Sequence, residues 1–191
     1  MNADAPILAF DTSAAHCAVA LLRGDALLAS AAEEMTRGQA ERLMPMVMEV
    51  LRHAGVPLAE VGRIGVGIGP GNFTGLRIAV SAARGLALAR GIPAIGVSTF
   101  DVIHHGAPGA LAGVPAPRGQ LYVMAPDQEP RQVAQEDASD AVLPPAPAAL
   151  AEGIARIAAT KAPGARPAPL YLRPADAAPA RDAPPRLLDD A

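Results

Sequence analysis

Apolar residues in the first hundred positions occur in short runs separated by glycine and small polar residues. Residues 7–10, 17–22 and 26–32 are runs of this kind, and strands of a partly buried sheet have this length. An Arg-Gly-Asp turn at residues 23–25 joins the second run to the third, and a glycine in so short a connection favours a β-hairpin. The pattern therefore predicts three antiparallel strands at the start of the chain.

The next segment has the periodicity of a helix. Between residues 40 and 54 apolar side chains recur at the i, i+3, i+4 and i+7 spacing, which places them on one face of an amphipathic helix. Gly55 follows as a helix stop. Pro45 lies inside the segment, so it belongs either near the helix start or at a kink.

A strand, a glycine-rich loop and a second helix then follow in tandem. The prediction is a buried strand at residues 64–68, a loop at 69–75 (GPGNFTG) and a helix at 76–90 that ends at Gly91. Residues 94–97 predict another strand, after which Ser98 or Thr99 can cap a short helix through residue 105. Because a helix connects the two strands, we expect them to be parallel.

After Gly106 proline becomes frequent and the periodic patterns weaken. Only residues 121–124 and 148–161 predict ordered elements, and no strand is predicted between residues 131 and 148. From residue 162 onward proline and alanine dominate, as in extended or disordered segments. We predict an N-terminal lobe at residues 1–106, a small C-terminal lobe at 107–175 and a Pro/Ala-rich tail at 176–191.

Composition narrows the functional classes. The 191 residues include 16 basic and 19 acidic ones, for a formal net charge of -3, so the chain lacks the positive field of autonomous nucleic-acid binders. The N-terminus has no basic residue before its first apolar run, and no run approaches the roughly 18 residues of a membrane helix. We therefore expect a cytoplasmic protein that does not contact membranes, and any contact with RNA would have to be local or shared with a partner.

Two segments contain residue types that could support chemistry. The first consists of Asp11, Thr12 and Ser13 at the end of the first predicted strand. There a carboxylate could hold a metal-bound water, and the hydroxyls and turn amides could approach a phosphate. The alternative is a turn stabilised by local hydrogen bonds of the same three side chains.

The second segment is the glycine loop, in which the candidate ligand-binding residues are Gly69, Gly71, Asn72 and Thr74. Three glycines in seven residues allow the backbone to approach a ligand or another chain closely. The loop lacks the lysine of a P-loop and the last glycine of the dinucleotide fingerprint. A tight strand-to-helix connection capped by Asn72 or Thr74 is therefore an equal alternative.

Histidine and cysteine give no metal-binding pattern. His16, His53, His104 and His105 include no His-x-x-x-His pair, so neither a metal site nor a catalytic residue is predicted. The single cysteine, Cys17, lies within a predicted strand with His16 facing the opposite way. It is predicted to be a buried structural cysteine.

The two long predicted helices contain a candidate packing surface. Small residues lie close together on the second helix, a pattern that permits tight packing with another helix. From the residues alone a core face is preferred to an interface, because helices that flank a sheet need such faces. The candidate residues are Leu43, Met46, Val47, Val50, Gly75, Ile78, Ala79, Ala82, Ala83 and Leu86.

Four segments taken together form a specific combination. They are residues 7–13 (ILAFDTS), 37–46 (RGQAERLMPM), 67–77 (GIGPGNFTGLR) and 91–99 (GIPAIGVST). This combination resembles the N-terminal signature of the TsaB (YeaZ) family of threonylcarbamoyladenosine (t6A) biosynthesis, and it covers roughly the first hundred residues. Residues 169–173 (PLYLR) resemble the tyrosine-containing segment near that family's C-terminus.

The chain also departs from that family's pattern. Gln39 stands where members often have histidine, and residues 115–122 lack the Asp-Ala-Arg segment that often precedes the family's tyrosine strand. The second lobe is shorter than usual. These departures affect functions of the second lobe and leave the helix face untouched.

The resemblance implies an actin- and Hsp70-like (ribonuclease H-like, ASKHA) α/β fold with two lobes, the second shortened. It implies a non-catalytic scaffold subunit that pairs with a TsaD paralogue for N6-threonylcarbamoylation of adenosine 37 in ANN-decoding tRNAs, together with a TsaE-like ATPase. The candidate helix residues would meet that paralogue or a second copy of the chain. The subunit would have no cofactor of its own, with ATP or ADP only in the complex, so the segments at residues 11–13 and 69–75 would be vestigial or interface nucleotide loops.

Two other functional classes stay open at this point. A stand-alone ATPase or small-molecule kinase of the same fold is suggested by the two loops, but it requires a second phosphate loop and an adenosine pocket in the C-terminal lobe. A glycoprotease-like metallopeptidase is less favoured, because the spacing of metal ligands is missing.

Overall fold

The computed structural model of the chain describes residues 5–172 and contains a five-stranded mixed sheet. The strands are β1 (Ile7–Asp11), β2 (His16–Arg23), β3 (Ala26–Glu34), β4 (Arg63–Gly67) and β5 (Ala94–Val97). The strand order is β3-β2-β1-β4-β5; the first three strands are antiparallel, and β1, β4 and β5 are parallel. The predicted hairpin strands and the parallel pair are therefore confirmed.

Helices connect these strands, and their ends follow local capping rules. Asn72 caps the second helix, which therefore begins before the predicted residue 76, and Gly91 ends it with a φ of 63°. Ser98 forms a reciprocal capping box with Asp101 at the third helix. Pro45 lies inside the first helix, beyond its first turn. The helices are α1 (Gln39–His53), α2 (Phe73–Arg90), α3 (Thr99–Gly106) and α4 (Pro147–Thr160), with short 3-10 turns at Leu58–Glu60 and Gln135–Ala138.

The two faces of the five-stranded sheet belong to separate cores, because successive side chains of a strand point to opposite faces. Leu8 and Phe10 pack with α1 and α2 on one face, whereas Ala9 and Ala18 pack with α4 on the other. Alanine on the second face lets α4 lie close to the sheet. Helices therefore cover both faces of the sheet.

A second, three-stranded antiparallel sheet follows α3. Its strands are β6 (Ala112–Ala116), β7 (Gln120–Met124) and β8 (Arg131–Ala134), in the order β6-β7-β8. The prediction that residues 131–148 lack strands is wrong, since β8 lies there, and β6 was also missed. Both are edge strands. An edge position tolerates Pro115 in β6, and β8 has no buried residue that would give it an alternating pattern.

The C-terminal part of the chain includes a helix that packs on the first sheet. Its helix α4 is confirmed, and it packs on the first sheet rather than on the second. The predicted lobe boundary at residue 106 stays a prediction, and the predicted tail at 176–191 lies outside the described residues.

Three antiparallel strands continued by two parallel ones, with helices on both faces, are the ribonuclease H-like arrangement of actin and Hsp70, so the predicted fold class is confirmed.

Candidate functional site

The two predicted ligand loops contact each other. The hydroxyl of Thr12 donates a hydrogen bond to the carbonyl oxygen of Gly75 at 2.7 Å, and the backbone N–H of Asn72 donates to the carbonyl oxygen of Ser13 at 2.6 Å. Oδ1 of Asn72 accepts from the backbone N–H groups of Thr74 and Gly75 at the start of α2. The hydroxyl and backbone N–H groups that could otherwise donate to a phosphate therefore form hydrogen bonds within the chain.

Glycine is required where these loops meet, because there is no room for a Cβ atom. A Cβ would overlap the side chain of Asp11 at Gly67, the carbonyl group of Ser13 at Gly71 and the carbonyl group of Thr12 at Gly75. Gly69 instead has a φ of 98°, a left-handed conformation that favours glycine. We call residues 11–13 together with Gly67–Gly75 the loop junction. Close packing accounts for Gly67, Gly71 and Gly75, and the backbone conformation accounts for Gly69.

A buried carboxylate and a histidine form a pair beside the junction. Oδ1 of Asp11 accepts hydrogen bonds from the backbone N–H and hydroxyl of Ser13, at 2.9 and 2.8 Å, and lies 2.7 Å from Nε2 of His16. Oδ2 of Asp11 is buried without a hydrogen-bond partner among the described residues. Sequence analysis missed this pair, although a hairpin register with Asp11 opposite Ala18 places Asp11 and His16 on the same face of the sheet.

A cavity of about 1240 Å³ lies between the loop junction and the second sheet. Ser13, His16 and Asn72 line one side, and Val114 and Tyr122 of the second sheet line the other. Among the described residues, no Asp, Glu, Lys or Arg lines this cavity. Its wall is therefore apolar with uncharged polar groups and one histidine.

An aromatic cluster forms the rim of the cavity. The rings of Phe73 and Tyr171 stack with centroids 5.0 Å apart and planes inclined by 30°. The guanidinium of Arg77 lies 3.9 Å from the centroid of Phe73, and its Nε donates to the hydroxyl of Tyr171 at 3.1 Å. The backbone N–H of Leu170 donates to the carbonyl oxygen of Ile68 at 2.7 Å. These contacts attach the C-terminal segment to the start of α2.

The ten candidate interface residues fall into two groups. Ile78, Ala82 and Leu86 of α2 are half-buried and reach the surface. The other seven are buried in the chain's own core, so the candidate residues that reach the surface are the first three, and the interface itself stays a prediction. The buried seven are Leu43, Met46, Val47, Val50, Gly75, Ala79 and Ala83.

Two apolar side chains that sequence analysis did not select lie exposed on the same helices. Met48 of α1 is 51% exposed, and Leu88 of α2 is 81% exposed. They lie off the apolar stripe that identifies each helix, and for that reason the periodicity did not mark them. Exposed apolar residues outside a stripe are the signal that could have indicated a contact surface.

The single cysteine is buried, as predicted. Cys17 is a buried free thiol in β2, and burial raises its pKa to about 11. Within residues 5–172, no group of three or more His, Cys, Asp or Glu residues is placed to hold a metal ion. None of the described helices combines the length and apolar character needed to cross a bilayer.

The strand order and the two-sheet architecture define a protein of the actin-like class, and comparisons with known proteins specify the family. The family model described as "TsaD: tRNA N6-adenosine threonylcarbamoyltransferase" matches residues 27–146. The tRNA threonylcarbamoyladenosine biosynthesis protein TsaB of Escherichia coli is 34% identical over 145 residues, which are 73% of this chain and 62% of the relative. The chain thus spans less than two thirds of that relative's length.

Two solved structures from Pseudomonas aeruginosa are also similar. YeaZ is 37% identical, with a TM-score of 0.56 over 68% of this chain and 65% of that chain. A protein described as similar to peptidase YeaZ is 27% identical, with a TM-score of 0.68 over 88% of this chain and 100% of that chain. The chain belongs to the TsaB (YeaZ) family.

Proposed function

We propose that the chain acts as a TsaB-type subunit of t6A biosynthesis. In this role it pairs with a TsaD-like catalytic paralogue and supports threonylcarbamoylation of adenosine 37 in ANN-decoding tRNAs, without catalytic residues of its own. The names of its relatives support the pathway. The observation that carries the pairing is the exposed surface of α1 and α2.

That surface combines exposed apolar side chains with room for another helix. Met48 of α1 and Leu88 of α2 are exposed, and Ala82 of α2 is half-buried. Gly85 lies inside α2, where glycine costs about 1 kcal/mol relative to alanine. A Cβ at Gly85 would meet nothing within 4 Å in the chain, so no contact within the described chain explains the glycine. Close approach of a partner helix would explain it.

The hydrogen bonds of the loop junction support our proposal that the chain binds no cofactor of its own. The hydroxyl of Thr12 donates to the start of α2, the hydroxyl of Ser13 donates to Asp11, and Asn72 accepts from the first turn of α2. The adjacent cavity has no Lys or Arg among its described lining residues to neutralise phosphates. In our proposal ATP or ADP binds only within the complex, and the loops at 11–13 and 69–75 are vestigial or part of an interface.

The remaining partners follow from the same role. A TsaE-like ATPase joins the complex, tRNA is contacted only through the complex, and the protein works in the cytoplasm. A second copy of the chain can occupy the α1–α2 surface when the paralogue is missing. The exposed apolar side chains of this surface would then be buried both in the complex with the paralogue and in the homodimer, and such burial is favourable.

Co-purification with the TsaD paralogue of the same genome tests the proposal. Tagged chain and paralogue are co-expressed, sized, and assayed for threonylcarbamoyl transfer with and without the chain. We expect a stable complex and dependent transfer, and we expect Ala82→Glu and Leu88→Glu each to weaken pairing at least about tenfold, because a charge would be desolvated in the interface. Ala149→Glu, an equal charge at an exposed site on α4 across the sheet, is the control and should pair normally.

Absence of a complex, or transfer that proceeds equally without the chain, would refute the subunit role. Saturable ATP binding with turnover by the chain alone would instead favour the stand-alone ATPase. Stoichiometric zinc in the purified protein would favour the metallopeptidase.

A further inference from the structure

The exposed side of α2 is positively charged. Ser81, Arg84, Gly85 and Leu88 are all exposed, and their i, i+3, i+4 and i+7 spacing places them on one face of the helix. The sequence of α2 contains no Asp or Glu. Arg84 therefore gives this face a positive charge, although the whole chain has a formal net charge of -3.

Arg84 is available to a partner, whereas the other two arginines of α2 already form hydrogen bonds. Arg77 donates to the hydroxyl of Tyr171, and Arg90 donates to the carbonyl oxygen of Ala59. In the part of the chain that the structure describes, Arg84 forms no hydrogen bond or ion pair. Its guanidinium is a rigid, planar set of donors that matches the two oxygens of a carboxylate.

The exposed side of α1 has the same combination of groups. Arg52 lies one helical turn after Met48, and both are exposed. Glu49 lies between them, but Arg42 donates to both of its carboxylate oxygens, at 2.9 and 2.7 Å. The carboxylate on this side of α1 is therefore already paired. On each helix a partner would meet an apolar side chain with an arginine one turn away.

A second copy of the chain matches this charge poorly. Two identical helices that meet around a twofold axis place each residue near the axis against its own counterpart. Gly85 allows the closest approach, since it has no side chain and its Cβ position has open space around it. Arg84 of one copy would then face Arg84 of the other, and like charges in such a contact are unfavourable.

We propose that Arg84 makes the α1–α2 surface selective for a partner helix that presents a carboxylate opposite it, and selects against a second copy of the chain. The carboxylate would accept two parallel hydrogen bonds from the guanidinium beside the apolar contact of Leu88. This inference rests on the proposed function, in which the paralogue is the partner. It adds the physical reason for which the paralogue displaces a second copy.

Titration of the chain with the paralogue tests the attractive part. Arg84→Glu should weaken pairing about tenfold, because two carboxylates would then face each other. Arg84→Lys keeps the charge and should pair within about threefold of the unmodified chain. Arg131→Glu, on the exposed side of β8, makes the same change in net charge on the second sheet and is the control. It should pair normally.

Self-association of the chain alone tests the repulsive part and needs no paralogue. Sedimentation should show tighter self-association for Arg84→Ala, by about fivefold, because the like charges are removed. An equimolar mixture of Arg84→Glu and the unmodified chain should associate more tightly than either alone, since opposite charges then face each other. Added salt should strengthen self-association and weaken pairing with the paralogue, because it screens both the repulsion and the attraction.

Cross-linking identifies the group that Arg84 meets. A carbodiimide joins an amine to a carboxylate in direct contact, forming an amide with loss of water. The Arg84→Lys variant supplies the amine at position 84 in the complex with the paralogue. Mass spectrometry should then find position 84 linked to an Asp or Glu of the paralogue.

Three results would overturn the inference. They are equal pairing of Arg84→Glu and Arg131→Glu with the paralogue, weaker self-association of Arg84→Ala, and no cross-link at position 84 in a complex that forms. The second result would mean that Arg84 meets a carboxylate of the second copy. If no complex with the paralogue forms, the subunit role is refuted, and the self-association measurements still decide whether Arg84 opposes a second copy.

Discussion

Glycine serves opposite purposes in two regions of this molecule. At the loop junction, Gly67, Gly71 and Gly75 have neighbours so close that a Cβ would overlap them, whereas Gly85 on α2 has only open space around its Cβ position. The first region is closed, because its contacts lie within the chain. The second is open, and its small residue becomes useful only when another helix approaches. The same residue type therefore marks internal packing in one place and an available surface in the other.

The polar groups of the two regions differ in the same way. At the junction, the side chains of Thr12 and Asn72 form hydrogen bonds with the backbone, and the hydroxyl of Ser13 donates to Asp11. On the α1–α2 surface the exposed groups include Met48 and Leu88, which hydrogen bonds cannot satisfy and only burial can stabilise. The polar residues of the junction, which resemble a ligand site, thus stabilise the fold. The apolar side chains of Met48 and Leu88, which resemble core residues, are exposed instead.

The largest expected effect is that of Gly75→Ala in the junction. Its methyl group would overlap the carbonyl group of Thr12, so we expect a loss of about 3 kcal/mol in the free energy of unfolding. Urea denaturation measures it. Stability equal to that of the unmodified chain would mean that the junction is not closely packed in solution.

A smaller effect is expected from Asn72→Ala, which removes the side-chain cap of α2 while keeping its backbone hydrogen bond to Ser13. The free energy of unfolding should fall by about 1 kcal/mol. Thr74→Ala is the matched control, because Thr74 was the alternative cap in sequence analysis and its hydroxyl caps nothing in the structure. If Thr74→Ala were the more destabilising variant, the assignment of the cap would be wrong.

The smallest expected effect has the opposite sign and distinguishes the two regions. Gly85→Ala should stabilise the isolated chain by about 0.5–1 kcal/mol, because alanine is the better helix former and its Cβ meets nothing. The same methyl group should weaken pairing with the paralogue, as measured by titration of one protein into the other. Ser81→Ala, on the exposed side of the same helix, serves as a control that adds no volume. A gain in stability with unchanged pairing would remove Gly85 from the interface.

Much of the fold could be predicted, because it depends on periodicity and end signals that neighbouring residues supply. The apolar stripe of α1, Gly91 at the end of α2 and Ser98 at the start of α3 are local features. The edge strands β6 and β8 were missed because the pairing of each with β7 stabilises it, and the pattern within their own residues does not. The candidate site was only half predictable: both loops were identified, but not their contact with each other.

The sequence by itself determined the helices, the strands other than β6 and β8, the residue that ends α2, and the family that the chain resembles, because these depend on residues a few positions apart. Only the tertiary structure decided that Thr12 contacts Gly75, 63 positions away, that His16 pairs with Asp11, and that seven of the ten candidate interface residues lie in the core. Contacts of this kind depend on register and on the close approach of separate elements. Both are set by the packing of the whole chain, which no single segment encodes.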